Sequence, residues 1–150
     1  MTNDITIRVA QPSDAPELAR LNAAFNDVYE PPEVVRARLD HPERVETPLI
    51  AVVGRRAVGF AALRLVPCVF YADAHAELTE LYVEPGWRRR GIARRLIALA
   101  ERLAAEGGAG ELTILTGDDN APAQALYRSL GYEEGDVALT KVLSTERSGA

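Results

Sequence analysis

The sequence predicts a single α/β domain of the α+β kind: a mixed, mostly antiparallel sheet of six or seven strands with helices on both faces. Three observations predict it. Short apolar runs of strand character recur from Ile5 to Leu143. Two of them are joined by the tight connection Gly54-Arg-Arg-Ala57, the signature of an antiparallel hairpin. One long amphipathic stretch, Gly91 to Glu106, stands between two further runs and has to carry the chain across the sheet.

Taken in order, Ile5 to Val9 (Ile-Thr-Ile-Arg-Val) alternates apolar and polar residues as a half-buried strand does. Ser13 is the expected cap of a first helix with Pro16 in its first turn and Leu18, Leu21 and Phe25 on one face. Pro31-Pro32 stops that helix and starts a second one through about Leu39. Leu49 to Val53 and Val58 to Val66 form the hairpin, and residues 67 to 75 a loop. A strand then runs from about Glu77 to Val83 and ends at Pro85-Gly86. In the long helix Ile92, Leu96, Leu99 and Leu103 share one face, with Arg94, Arg95, Glu101 and Arg102 away from it, and Gly107-Gly108 ends it. Leu112 to Thr116 is a strand, Ala121 to Leu130 a helix stopped by Gly131, and Tyr132 to Leu143 one or two strands. The last seven residues are expected to fray.

With 150 residues and 47% hydrophobic content, the chain suits one domain spanning 1–150, with an ordered core of about 4–143. Such a domain buries about two-thirds of its unfolded surface and needs no disulfide or metal. Cys68 is the single cysteine and there are two histidines, a poor set for a metal, so no metal is expected. Asp118-Asp119 has no third ligand nearby in sequence and reads as a loop. No apolar run approaches the roughly 18 residues of a membrane span, and Met1-Thr-Asn-Asp does not resemble a signal peptide. The expected location is therefore cytoplasmic. A net charge of −5 argues against nucleic acid or an anionic membrane as partner. Against that acidic background Arg88, Arg89, Arg90, Arg94 and Arg95 lie within eight residues, which points to a small anionic ligand.

The segment Leu81-Tyr-Val-Glu-Pro-Gly-Trp-Arg-Arg-Arg-Gly-Ile-Ala-Arg-Arg-Leu96 is a strand, a turn, and then Arg88-x-x-Gly91-x-Ala93 opening a helix. The first turn of a helix offers amides without internal partners and about half a positive charge. Gly91 and Ala93 leave that backbone uncovered, so a diphosphate fits there, with arginines to hold its flanking charge. The alternative is a glycine relieving crowding beside a solvated basic face. Neither a Walker-type nor a dinucleotide-type glycine loop is present.

This segment resembles motif A of the GNAT superfamily of acyl-CoA-dependent N-acyltransferases, Arg/Gln-x-x-Gly-x-Gly/Ala after a strand. A second match, Asn120-Ala-Pro-Ala-Gln-Ala-Leu-Tyr127-Arg-Ser-Leu-Gly131-Tyr132, follows about 30 residues later across one helix and one strand. The resemblance covers roughly residues 49 to 143, and more loosely the start. It implies the GNAT fold, with a central parallel pair of strands, ending near Val83 and Thr116, splayed apart. It implies acetyl-CoA as co-substrate. Its pyrophosphate would be held by Arg88, Arg89, Arg90, Gly91, Ile92, Ala93 and Arg94, and its pantetheine arm by the backbone of Leu81, Tyr82 and Val83. Ala93 stands where glycine is commoner in the family.

An alkylamine of pKa about 10.4 costs roughly 4.6 kcal/mol to deprotonate at pH 7, so a base is useful, and a departing thiolate benefits from an acid. By the resemblance Glu80 is the base, acting through water, and Tyr127 the acid near the CoA sulfur. Without the resemblance Glu80 reads as a solvent-facing strand residue and Tyr127 as a core aromatic. Asn120 either caps its helix or contacts the cofactor. Glu77 and Glu84 are weaker candidates for the base. Cys68 as a nucleophile would need His75 as an activating base, and it reads instead as a structural or exposed thiol. The implied function is acetyl transfer to a primary amine, preferably of a small cationic molecule. The alternatives are a protein N-terminus or lysine, a longer acyl donor, and a non-catalytic acyl-CoA sensor. The acceptor cleft is expected from residues 25 to 48 and 66 to 76, and a homodimer is common among similar proteins.

Overall fold

The computed structural model describes residues 4–116 and 120–144. The chain divides into two compact units, Met1–Leu115 and Thr116–Ala150. In the first, strand β1 (Thr6–Val9) is followed by helices α1 (Ala15–Asn26) and α2 (Pro32–Leu39). Three antiparallel strands come next, β2 (Glu46–Val53), β3 (Arg56–Val66) and β4 (His75–Val83), then helix α3 (Ile92–Glu106) and β5 (Thr113–Ile114). The sheet order is β1-β2-β3-β4-β5, antiparallel except for the parallel β4–β5 pair.

Both faces of the sheet are covered. On one, Leu18 and Leu21 of α1 pack with Ile50 and Phe60. On the other, Leu63 and Ala76 pack with Ala104 of α3. Residues 60 and 63 of one strand face opposite ways because strand side chains alternate. Covering both faces explains why Ala57 to Leu63 is buried without interruption rather than alternating. Gly59 is the point of closest approach to α3: a Cβ there would lie 2.9 Å from the Tyr82 carbonyl oxygen and 3.5 Å from Ile92 Cγ2.

Several expectations shift. Ser13 does not cap α1; it sits inside a 3-10 turn, Pro12–Asp14, that precedes the helix. Asp14 stands at the cap position without a side-chain cap bond; its carboxylate turns back to the Gln11 N–H at 2.7 Å and the Arg8 guanidinium at 2.7 Å. Helix α1 ends at Asn26, before the prolines, because Asp27 turns left-handed at φ 54°. Strands β2 and β4 begin earlier than expected, at Glu46 and His75. On α3 the buried face is Ile92, Leu96, Ile97, Ala100 and Ala104, while Leu99 and Leu103 lie at its margin.

Strand β5 is two residues long rather than five, because β4 bends where the parallel pairing stops. The register pairs Leu63 with Leu78 and Ala62 with Glu80, so Thr79 is an inserted bulge residue. Parallel pairing to β5 covers only Glu77 with Thr113 and Leu78 with Ile114. The two parallel strands therefore part at the bulge. Beyond it, no strand among the described residues pairs with that edge of β4.

The second unit contains α4 (Ala121–Ser129) and no strand among its described residues. The strands expected over 132 to 143 are absent there, so the described sheet has five strands rather than six or seven and its parallel pair lies at an edge. Val137 and Leu139 alternate with Ala138 and Thr140 as a strand would, yet they are 84% and 91% exposed. A strand is stable only on a partner edge, and this unit supplies none. Asp118-Asp119 and the end beyond residue 144 lie outside the described residues.

Candidate active site

The turn after β4 is built locally. Pro85–Trp87 makes a single 3-10 turn, Arg89 takes φ 65° and Gly91 φ 77°, and α3 begins at Ile92. The position of Gly91 is open: a Cβ would meet nothing within 4 Å, so the glycine is needed for its left-handed backbone and not for room. The Arg95 N–H donates to the Gly91 carbonyl at 3.1 Å. The amides of Ile92 and Ala93 precede that first bond and have no partner within the helix. Ile92 is buried against the sheet, and Ala93 beside it is half-buried.

The arginines are not equivalent. Arg88 Nε donates to the Val83 carbonyl at 2.9 Å, and its guanidinium lies 5.8 Å from the centre of the Tyr82 ring. Arg90 stacks over Trp87 at 4.6 Å. Arg95 reaches back to the Ile5 carbonyl at 3.1 Å, while Arg89 and Arg94 are exposed.

On β4 the hydrogen-bonding phase is fixed by Glu84, whose N–H donates to the Val58 carbonyl at 2.8 Å. In an antiparallel pair the phase alternates, so Tyr82, opposite Phe60, turns its backbone groups to β3. Leu81 and Val83 turn theirs to the open edge beyond the bulge, where the Val83 carbonyl is already held by Arg88. Of the three residues expected to pair with an extended ligand, two are so directed and Tyr82 is not.

Glu80 projects to the α1 side of the sheet, where Asn26 Nδ2 donates to its Oε2 at 3.1 Å. Beside it Phe25 stacks on Tyr82 with ring centres 5.1 Å apart, and Phe60 meets Phe25 edge-on at 6.1 Å. Asn26 and the Phe25–Tyr82 stack escape sequence reasoning. Phe25 reads as an ordinary core position of an amphipathic helix, and nothing local marks Asn26.

Glu84 is engaged elsewhere: Arg56 and Arg20 hold one oxygen at 2.9 and 3.3 Å, and its Oε1 is buried with no partner. Glu77 lies 3.6 Å from His75, and the Cys68 thiol donates to the Val66 carbonyl at 3.7 Å. Among the described residues no three His, Cys, Asp or Glu side chains cluster as metal ligands, and no helix is long and apolar enough to cross a membrane.

In the second unit Asn120 Oδ1 accepts from the Ala123 N–H at 3.3 Å, the geometry of a helix cap. Tyr127 is half-buried, and burial pushes its phenol above the ordinary value of 10.0. Its ring meets Tyr132 edge-on at 6.3 Å, and the Tyr132 N–H donates to the Tyr127 carbonyl at 3.0 Å.

Residues 15–132 match the sequence profile of the acetyltransferase (GNAT) family. An uncharacterized N-acetyltransferase of Bacillus subtilis, YhfO, is 31% identical over 87% of this chain and 91% of its own length. An aminoglycoside N(6')-acetyltransferase type 1 of Stenotrophomonas maltophilia is 30% identical over 86% of each chain. The solved structure of aminoglycoside N-acetyltransferase AAC(6')-Iy in complex with CoA superposes with a TM-score of 0.81 at 22% identity, covering 97% of this chain and 98% of that one.

Proposed function

The chain belongs to the acetyltransferase (GNAT) family and is an acyltransferase, and from that premise we propose that it moves an acetyl group from acetyl-CoA onto a primary amine of a small cationic molecule. The observation that carries the reading is the turn at Gly91, where the first amides of a helix have no partner within it, immediately after a strand whose outer edge beyond the bulge pairs with no strand among the described residues. Both features fit the donor. A diphosphate would take the amides of Gly91, Ile92 and Ala93, with Arg88, Arg89, Arg90 and Arg94 supplying positive charge. An amide-bearing arm would extend along the backbone of Leu81 and Val83 as an added strand. Asn120 would keep its cap and offer its amide group to the same ligand. The whole chain, which the family profile spans across both units, would act as one catalytic domain.

Bound acetyl-CoA supplies the acyl group as an activated thioester. Glu80 would take the proton from the attacking amine, directly or through a water, and Tyr127 would give its proton to the departing sulfur. Burial keeps the Tyr127 phenol protonated throughout the neutral range, as an acid requires. A cationic acceptor is supported by the Stenotrophomonas relative, whose name makes it an aminoglycoside acetyltransferase, and by the chain's net charge of −5, which favours the approach of cations.

The test is calorimetric titration with acetyl-CoA, followed by thiol release with sisomicin and spermidine as acceptors. Binding and turnover are expected. Binding without turnover on any amine would assign a sensor, turnover only on peptides a protein acetyltransferase, and no binding would remove the reading.

A further inference from the structure

Glu80 is held by a side-chain relay that starts at the end of α1. Asn22 Nδ2 donates to the Val28 carbonyl at 3.3 Å, Asn26 Nδ2 donates to Asn22 Oδ1 at 2.8 Å, and the same Nδ2 donates to Glu80 Oε2 at 3.1 Å. The amide orientations are forced from both ends. The Val28 carbonyl only accepts, so Asn22 turns its NH2 to it and its oxygen to Asn26; a carboxylate only accepts, so Asn26 turns its NH2 to Glu80. Both protons of Asn26 Nδ2 are thereby spent. The remaining oxygens, Asn26 Oδ1 and Glu80 Oε1, are adjacent groups that accept only, the combination that takes the donors of an amine.

We infer that Asn26 is the positioning residue for Glu80: it fixes the carboxylate's rotamer and ties it to the segment after α1, so that Glu80 Oε1 and Asn26 Oδ1 together receive the acceptor's amine. The inference rests on the catalytic reading of Glu80 given above. The bond spans 54 residues and joins a helix to the strand residue that follows the bulge. A glutamate carboxylate, on three rotatable bonds, needs such a partner to stay within catalytic geometry. Other charged groups on the adjoining elements do not supply one. Arg64 on β3 is turned to Glu46 at 3.7 Å and His75 on β4 to Glu77 at 3.6 Å, while Glu46, Glu77 and Asp27 are carboxylates, which accept only.

The experiment compares Asn26→Ala, Asn26→Asp and Glu80→Gln, singly and combined, on whichever of sisomicin and spermidine the wild type acetylates. Asn26→Ala is expected to lower kcat about tenfold with acetyl-CoA affinity and melting temperature unchanged. Asn26→Asp is expected to cost more, since an isosteric acceptor replaces both donors next to a carboxylate. In the Glu80→Gln background Asn26→Ala should add little, because the two residues act as one unit. Wild-type kcat in Asn26→Ala, or its full loss repeated in the Glu80→Gln background, overturns the inference and leaves the catalytic reading standing. Wild-type kcat in Glu80→Gln overturns both. An arm without turnover reads the Asn26 side-chain amide signals by NMR: they should move in Glu80→Ala, and unmoved signals overturn the inference. If Asn26→Ala disturbs α1, Asn22→Ala, which leaves Asn26 in place and removes the oxygen that orients it together with the bond to the Val28 carbonyl, takes its place with the same outcomes.

Discussion

The two ends of the same short stretch, Glu80 to Ala93, are held in opposite ways. The turn from Val83 to Ala93 is shaped largely by contiguous chain: the Arg88–Val83 bond, the Arg90–Trp87 stack and the two left-handed residues all fall within it, and Glu84 ties it to Val58, Arg56 and Arg20. The surroundings of Glu80 come from far away: Asn26 lies 54 positions distant and Phe25 is its neighbour on α1. Local construction keeps the pattern of the proposed donor turn visible in a sequence. Distant construction makes the surroundings of Glu80, the proposed acceptor side, depend on where α1 sits.

The sharpest way to break this comparison is Gly91→Asp. It forces a side chain into a left-handed backbone and sets a negative charge against the helix start, so acetyl-CoA affinity should fall more than about 100-fold. Calorimetry checks it, and intact binding would show that the donor lies elsewhere. Tyr127→Phe should lower kcat about 100-fold with acetyl-CoA affinity kept, in steady-state assays beside titration. Loss of affinity instead would make the tyrosine a binding residue. Arg88→Ala should weaken acetyl-CoA about tenfold or less, because the open amides remain.

The smallest expected effect lies on the distant side. Glu17 anchors α1 to the sheet, accepting from Arg20 Nε at 2.7 Å and from the Ala57 N–H at 2.9 Å. The Arg20 hydrogen bond, helped by the Ala57 N–H, holds its carboxyl below the ordinary 4.5 despite burial. A depressed carboxyl stabilises the fold above its unfolded value, and that stability is lost as pH falls through the folded one. Glu17→Gln should therefore cost about 1 kcal/mol at neutral pH, with the gap to wild type closing below about pH 4. Thermal melts over pH 3 to 7 follow it; a gap that persists in acid would mean that the charge contributes nothing.

Legibility followed the same division. The start of α2 at Pro32, the ends of the β2–β3 hairpin and the opening of α3 after Gly91 were readable because prolines, glycines and periodicity act within a few residues. Ser13 misled because the chain enters α1 through a 3-10 turn, and neither Ser13 nor Asp14 gives the helix a side-chain cap: the Asp14 carboxylate turns back to Arg8 and the Gln11 N–H. The strands expected over 132 to 143 carry the right alternation, but alternation supplies no partner edge.

By itself the sequence determined the order of elements as far as α4, the turn at Gly91 and the family, since all three reside in short-range patterns. Tertiary structure alone decided that Thr79 bulges and parts β4 from β5, that Tyr82 turns its backbone inward, and that Asn26 meets Glu80. Each of these depends on which residues distant in the chain pair across strands, and that choice is made by packing over the whole sheet and written at no single position.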